Sequence, residues 1–274
     1  VELQFNDNLE LQVNGILNAD GATFTSANAS PVAGSWQGID ISSSSAQTFT
    51  NCQVLYAQTG IDIIQAAIDI SGSSFTTSSN YAVYADHSVT DLRNTITAAN
   101  VTIAGAGTYG IYIDRANLTL SNSSISGVGS YGIYFDDNTS TGETVVSSSS
   151  ASSTTISDGT SAGIGLGNGD VAFTDLTVNN SLYPISYLGS ANATYAGSTT
   201  FNNNDFNVIL FADATIERTM TLPDAGYVYY FNGNKTVENG VELIIESNTI
   251  IKTTPSASLK VEGKLTADAI TGET

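Results

Sequence analysis

A short pattern of apolar and polar positions recurs along the chain. Each copy has a residue that is usually small, then an apolar, an outward and a second apolar or aromatic residue, and the copies occupy 38–41, 60–63, 82–85, 110–113, 132–135, 163–166, 184–187, 207–210 and 227–230. The first apolar residues of successive copies lie 22, 22, 28, 22, 31, 21, 23 and 20 positions apart. The chain therefore repeats about every 22 residues, with two longer gaps that are typical of loops.

Within the repeats, apolar residues alternate with polar ones, as in residues 117–121. Alternation with period two predicts β-strands, and clusters of Gly, Asn, Asp and Ser divide each repeat into two or three short strands. A unit of this length cannot bury its own apolar face, but copies stacked about 4.8 Å apart can, because each strand then pairs in parallel with its equivalents. The pattern predicts an all-β fold, a single-stranded parallel β-helix solenoid with rungs of about 22 residues.

The beginning of the chain carries a more specific signal. Residues 11–21, 24–26 and 34–39, with the sequences LQVNGILNADG, FTS and GSWQGI, resemble the first rungs of pectate-lyase-like right-handed β-helix domains of secreted bacterial cell-surface proteins. The resemblance covers nearly the whole chain. It implies one continuous right-handed β-helix over 1–274, with opening rungs in 1–35, regular rungs in 36–231 and closing rungs in 232–274. That superfamily includes lyases, hydrolases, phage tailspikes, adhesins and passive stalks, so the resemblance specifies the fold and leaves the activity open.

The two ends of the chain resemble each other. Residues 259–271 match residues 11–23 at seven of 13 positions. Since an open rung exposes unpaired backbone groups and apolar core, we expect another copy to stack on each end, either in a tandem array or in an end-to-end fibre. The alternative is that both ends share a loose Gly-Leu-Ala consensus and that capping segments were trimmed.

Charge and composition exclude several functions. The formal net charge is −19, which would repel nucleic-acid phosphates and disfavours anionic membrane surfaces. No apolar run approaches the roughly 18 residues of a membrane span. Cys52 is the single cysteine, so no intrachain disulfide can form, and we expect it to be a buried apolar side chain. These features favour a secreted, extracellular or cell-surface protein that has no nucleic-acid partner and no membrane insertion.

Aligning the repeats places chemically interesting residues in columns. The outward position after each first apolar residue is occupied in turn by Asp40, Asp62, Tyr84, Tyr112, Tyr134, Gly165, Ser186, Ile209 and Tyr229. Two positions further on lie Asp86, Asp114 and Asp136, and beside them His87, Arg115, Asp137 and Asn168. The third to fifth rungs should therefore present a tyrosine ladder beside a row of carboxylates, with one His and one Arg among them.

Three interpretations of this face remain open. The tyrosines can stack for stability alone, with Asp placed by its preference for turns. Alternatively, Tyr84, Tyr112 and Tyr134 with Asp86, Asp114 and Asp136 can bind a polysaccharide, since aromatic rings pack on sugar faces and carboxylates accept hydroxyl hydrogen bonds. The same three carboxylates are candidate calcium ligands, and no other cofactor is expected.

The third interpretation is catalysis by a polysaccharide lyase or glycoside hydrolase, and its candidate residues are Asp86, Asp114, Arg115, Asp136 and Asp137. Carboxylates on adjacent rungs would raise one another's pKa and could supply an acid beside a base. Asp136-Asp137 is similar to the paired aspartates of polygalacturonases, but the Gly-His-Gly and Arg-Ile-Lys elements of that family are missing. We therefore favour a structural or adhesive module, leave open whether it binds glycans, and keep the enzyme as the alternative.

Smaller features also carry expectations. The stretches 94–100 and 140–155 are rich in Ser, Thr and Ala, which predicts loops or irregular rungs. Trp36 should pack at the start of the regular stack. We expect His87 to be a turn residue, and Arg115 to relieve repulsion between Asp114 and Asp136 through a partly exposed ion pair.

Overall fold

The computed structural model describes residues 1–87, 93–137 and 148–268, and within these ranges the regular structure consists of β-strands without helices. The chain visits three sheets in the same order on each turn, and every strand pair is parallel. The longest sheet has eleven strands, one from each turn. The predicted all-β parallel solenoid with rungs about 22 residues long is confirmed. No helix of the described ranges has the length and apolar character needed to cross a membrane.

Three sheets form the sides of the solenoid. The eleven-stranded sheet contains Glu10–Val13, Trp36–Ile41, Ala57–Ile63, Tyr81–Asp86, Tyr109–Asp114, Tyr131–Phe135, Ala162–Leu166, Tyr183–Tyr187, Ile209–Phe211, Val228–Phe231 and Ile250–Thr253. The eight-stranded sheet contains Asn18–Asp20, Gln47–Thr50, Ala67–Asp69, Asn94–Ala99, Ala116–Ser121, Ser148–Ser152, Asp170–Thr174 and Asn192–Ala196. The nine-stranded sheet contains Glu2–Phe5, Thr23–Ser26, Gln53–Leu55, Ser74–Ser78, Thr102–Ala106, Ser124–Ser126, Thr155–Ser157, Thr177–Asn179 and Thr200–Asn202.

The last turns have a different cross-section. Two three-stranded sheets replace the eight- and nine-stranded ones: Thr215–Ile216, Lys235–Val237 and Leu259–Val261 form one, and Met220–Leu222, Glu242–Ile245 and Lys264–Ala267 form the other. The side chain of Tyr227 closes the end of the nine-stranded sheet, because its ring lies 4.2 Å from that of Phe201 and its hydroxyl accepts a hydrogen bond from the Phe201 amide. Only the eleven-stranded sheet continues through both parts of the molecule.

The predicted inward column is confirmed over seven turns. Ile39, Ile61, Val83, Ile111, Ile133, Ile164 and Ile185 pair in register and are at most 1% exposed. The small residue before this column has a packing reason. A Cβ at Gly110 would lie 2.7 Å from Ile125 Cγ2, and one at Gly132 would lie 2.3 Å from Ile156 Cγ2, so a side chain there would collide with the neighbouring sheet.

Two sites in the core match the sequence predictions. Trp36 is fully buried and its ring stacks on Phe5 with centroids 4.5 Å apart, at the start of the regular turns. Its indole N–H donates to the Leu55 carbonyl, so the polar atom is satisfied. Cys52 is buried as expected, and burial raises the pKa of its thiol.

The predicted register was wrong in two repeats near the end. Val208 and Val228 were assigned to the inward column, but Ile209 pairs with Ile185 and Tyr229 pairs with Ile209. Ile209 and Tyr229 are therefore inside, fully buried, instead of outward. Both segments are continuously apolar, so alternation could not decide the face, and a slip of one residue reverses every side chain.

The stretches predicted as loops are largely regular. Residues 94–99 form the strand Asn94–Ala99, and Ser148–Ser152 and Thr155–Ser157 are strands as well, so that prediction was wrong for them. Ser, Thr and Ala are also compatible with a strand that has one inward face. The composition of these stretches therefore did not distinguish a loop from a strand. Residues 140–147 lie outside the described ranges, as do 88–92, and both segments fall within the two longer gaps of the repeat.

Candidate functional site

Six tyrosines cover the outer surface of the eleven-stranded sheet on three consecutive turns. Two columns run along the axis: one consists of Tyr81, Tyr109 and Tyr131, and the other of Tyr84, Tyr112 and Tyr134. Residues three apart on a regular strand face opposite sides, but here two consecutive residues, such as Ala82 and Val83, both point inward. This local irregularity turns both tyrosines of each strand outward. We call the six side chains the tyrosine platform.

Neighbouring rings of the tyrosine platform stack on one another with an offset. Neighbouring rings within a column have centroids 5.1–5.7 Å apart and interplanar angles of 12–28°. Because carbon atoms in direct contact lie about 3.5–4.0 Å apart, centroids at this distance show that the rings are offset. Each of the six residues is half-buried, so part of it remains open to solvent.

The sequence predicted one of the two columns. The ladder of Tyr84, Tyr112 and Tyr134 is confirmed, whereas the column that begins at Tyr81 was missed. Strict alternation would have turned those residues inward. The signal was present in the sequence as a tyrosine three positions before each ladder residue, in Tyr-Ala-Val-Tyr at 81–84 and in Tyr-Gly-Ile-Tyr at 109–112 and 131–134.

The tyrosine column ends at Tyr134, because the next turn has a glycine, Gly165, at the equivalent position. Gly165 pairs with Tyr134, and a Cβ at Gly165 would lie 2.3 Å from Cδ2 of that tyrosine. The ring of Tyr134 therefore leans over bare backbone. The Tyr84 hydroxyl is a neutral donor at physiological pH, since burial, followed by the charge of Asp86, raises its pKa to about 12.

The carboxylates predicted beside the ladder already have protein partners. Asp86 accepts hydrogen bonds from Arg115 Nε at 3.0 Å and Nη2 at 2.5 Å, and the same Nη2 lies 3.8 Å from Asp114. Asp136 instead accepts a hydrogen bond from the Tyr112 hydroxyl at 2.5 Å. The predicted partly exposed ion pair of Arg115 with Asp114 is therefore present, but the shorter contact of the arginine is with Asp86 on the preceding turn, which the sequence did not pair with it.

Asp137 does not belong to the surface row, although the sequence placed it there. Its side chain is 2% exposed and pairs with Arg93 Nη2 at 3.2 Å, and the arginine side chain is itself only 4% exposed. His87 is also buried. The ion pair joins residues 44 positions apart, so the local repeat could not reveal it. As a catalytic candidate Asp137 is out of reach of an external substrate.

The geometry gives no support for a metal or an acid–base pair in the predicted row. Across the described ranges, no group of three or more His, Cys, Asp or Glu side chains comes close enough to hold a metal ion. Asp114 is 7% exposed, and Asp86 and Asp136 are engaged by different partners. The arrangement that remains is an aromatic surface whose rim carries hydrogen-bonding oxygens.

An acidic groove lies on the same face, beside the first turn of the tyrosine platform. Its volume is about 230 Å³, and its lining residues are Glu10, Gln37, Gly38, Ile39, Asp40, Gln58, Thr59, Asp62 and Asn80. Burial, followed by the charges of Asp40, Asp86 and Glu10, raises the pKa of Asp62 to about 6. The sequence placed Asp40 and Asp62 in the outward column but did not assign them to a site.

Comparisons with known proteins address the family. A search of curated proteins finds no match. Among solved structures, the chain is similar to the "Crystal structure of Agl-KA catalytic domain", with a TM-score of 0.48 and 14% identity, over 96% of this chain and 58% of that one. We draw nothing on function from a likeness of this extent. The family model "Right handed beta helix region" matches residues 12–154, more than half of the chain. The predicted resemblance is thereby confirmed, and the chain belongs to the right-handed β-helix family.

Proposed function

We propose that this chain is an extracellular structural and adhesive β-helix module that binds polysaccharide on the tyrosine platform. The observation that carries the proposal is the double column of offset, partly exposed tyrosine rings on three consecutive turns. The apolar face of a pyranose packs on such rings, and the tyrosine hydroxyls and the rim carboxylates can bond its hydroxyl groups. Turns repeat about every 4.8 Å, close to the length of one sugar residue in an extended chain.

The position of the tyrosines supports binding over a purely structural role. The core of the solenoid is already filled by the inward column at the same turns, where Val83, Ile111 and Ile133 are fully buried. The tyrosines lie on the opposite face of the sheet from that core. An aromatic patch left at the surface of a protein with net charge −19 is a feature that marks a binding surface.

The enzyme alternative has less support from the geometry. Asp86, Asp136 and Asp137 are each held by a partner in the chain, through Arg115, Tyr112 and Arg93. A lyase or hydrolase acting at this row would need to break those contacts first. Release of reducing ends from polysaccharides, abolished by Asp136→Asn, would overturn the choice of a binding module.

The similarity of residues 11–23 to 259–271 supports the second part of the proposal, that the module is one segment of a tandem array or of an end-to-end stacked fibre. In this view its partners are flanking repeats or further copies, together with the polysaccharide. Sedimentation at rising protein concentration tests the fibre. Growth in mass supports it, and a strictly monomeric species at high concentration contradicts it.

Binding to arrayed glycans and to insoluble polysaccharides tests the adhesive role. Tyr112 is central in its column, so Tyr112→Ala should weaken binding about tenfold, which is the effect of losing roughly 1.4 kcal/mol of contact energy. The control is Tyr230→Ala, an outward, half-buried tyrosine of the same sheet beyond the platform. Equal losses in both variants, or a wild-type protein that binds no glycan, would contradict the proposal.

A further inference from the structure

The acidic groove continues the tyrosine platform along the solenoid axis. Asp62 pairs in register with Tyr84, and Thr59 pairs with Tyr81, so the groove begins one turn before the first tyrosines. Asn80, which immediately precedes Tyr81, is part of the groove wall. A glycan chain that runs along the platform would therefore place its next sugar residue in the groove.

The carboxylates of the groove differ from those that form the ion pairs of the surface. Elsewhere, Asp86, Asp170 and Glu242 lie next to Arg115, Arg218 and Lys264. The residues that line the groove include three carboxylates, from Glu10, Asp40 and Asp62, and none of these lining residues is basic. Asp40 accepts a hydrogen bond from Ser42 Oγ at 2.6 Å, which leaves its charge uncompensated.

One oxygen of Asp62, a residue that lines the groove, lacks a donor. Oδ1 of Asp62 is buried, and no described residue donates a hydrogen bond to it. A buried acceptor without a partner is unfavourable, because it has lost water and gained nothing in exchange. Gln37, Gln58 and Asn80 bring side-chain amides to the same groove, where they can bond hydroxyl groups. The complement of this wall is a ligand with both hydroxyls and a positive charge.

We propose that the ligand of this face is a glycan with free amino groups, of the glucosamine type, that lies along the tyrosine platform and places an ammonium group in the acidic groove against Asp62. The inference rests on the proposed glycan-binding function. It selects cationic amino sugars over neutral sugars, which leave the carboxylates unpaired, and over acidic sugars, which they repel.

The same contact makes binding depend on pH. The charged and titratable groups around Asp62 are Asp40 and Glu10 from the preceding turns and Asp86 and Tyr84 from the next. Because the pKa of Asp62 is raised to about 6, its carboxylate takes up a proton as the pH falls through that value. Affinity for an amino sugar should then fall, although the sugar amine stays charged.

Titration calorimetry with three β-1,4-linked oligomers tests the inference: glucosamine, N-acetylglucosamine and glucose. The glucosamine oligomer should bind at least about tenfold more tightly than the others, and Asp62→Asn should remove that advantage, as expected for loss of one charged hydrogen bond. The control is Asp69→Asn, which makes the same charge change on the eight-stranded sheet.

The outcomes separate the two proposals. If all three oligomers bind alike and Asp62→Asn changes nothing, the amino-sugar inference is wrong and the glycan-binding function stands. If none of the three binds, the amino-sugar inference is wrong, and absence of binding to any arrayed glycan as well would contradict the glycan-binding function. If Asp69→Asn weakens glucosamine binding as much as Asp62→Asn does, the preference reflects overall charge and the groove has no specific role.

Discussion

The eleven-stranded sheet carries stacked aromatic residues on both its outer and its inner face. The tyrosine platform lies outside the eleven-stranded sheet, and a second ladder of Tyr187, Phe211, Tyr229 and Phe231 lies inside the same sheet further along the chain. Ring centroids are 5.0–6.2 Å apart in the inner ladder and 5.1–5.7 Å apart within the outer columns. The spacing of the turns thus imposes similar stacking on both. Stacking alone does not distinguish a core from a binding surface.

The two ladders differ in exposure and in what surrounds them. The inner rings are at most 2% exposed, and the hydroxyl of Tyr229 donates to the Pro223 carbonyl at 3.0 Å. The outer rings are half-buried and are flanked by carboxylates. The inner ladder should therefore contribute mainly to stability, and the outer one mainly to binding. Strand register sets the direction of each aromatic side chain, and that direction decides whether the residue stabilises the core or is available for binding.

The adjacent residues Tyr229 and Tyr230 give the sharpest test of this contrast. Tyr229→Ala should lower the free energy of unfolding by about 3–5 kcal/mol, because it empties a large volume of the core. Tyr230→Ala removes a half-buried side chain and should cost about 1 kcal/mol or less. Urea denaturation of both variants measures the difference. Equal losses would show that the strand is in the other register.

A buried and a partly exposed carboxylate should also differ in what they contribute to stability, by a smaller amount than the two tyrosines. Asp137→Asn breaks a buried pair with Arg93 and should destabilise the fold by about 3 kcal/mol. Asparagine tolerates the left-handed backbone of this residue, whose φ is 40°, so the variant isolates the charge. Asp86→Asn removes a partly exposed pair with Arg115 and should cost less than about 1 kcal/mol. Thermal unfolding compares them, and a reversed order would refute the assignment of Asp137 to the interior.

Asp62 should show a small effect with the opposite sign. Its pKa is raised to about 6 in the folded state, so the folded protein holds a proton that the unfolded chain releases. The fold therefore carries no penalty from Asp62 below about pH 4, where the side chain is protonated in both states, and it loses stability as the pH rises through about 6. Since the side chain is partly exposed, Asp62→Asn should stabilise the protein by only about 1 kcal/mol near neutral pH.

Unfolding measured at about pH 8 and about pH 3 tests this expectation, since the gain should vanish at the lower value. A variant that is more stable yet binds amino sugars less well would mark Asp62 as a residue kept for binding at the expense of stability. Destabilisation by Asp62→Asn near neutral pH would show that the carboxylate is favourably paired in the fold.

Part of the site could be predicted from the sequence. The rest depends on departures from strict alternation and on the shape of the backbone. Tyr84, Tyr112 and Tyr134 were found because each follows a buried aliphatic residue at the repeat spacing. The column of Tyr81 was missed because two successive inward residues break the alternation that prediction assumes. The acidic groove was missed because it depends on the shape of the backbone over four successive turns, about which the alternation of apolar and polar residues carries no information.

The sequence by itself determined the parallel solenoid, its repeat length and most of its inward column, because burial of one apolar face every 22 residues leaves few other arrangements. Only the tertiary structure decided which aromatic residues face out, which carboxylate pairs with which arginine, and where a groove forms. These depend on strand register and on contacts between distant residues, such as Arg93 with Asp137. A shift of one position, invisible in a continuously apolar segment, exchanges inside and outside.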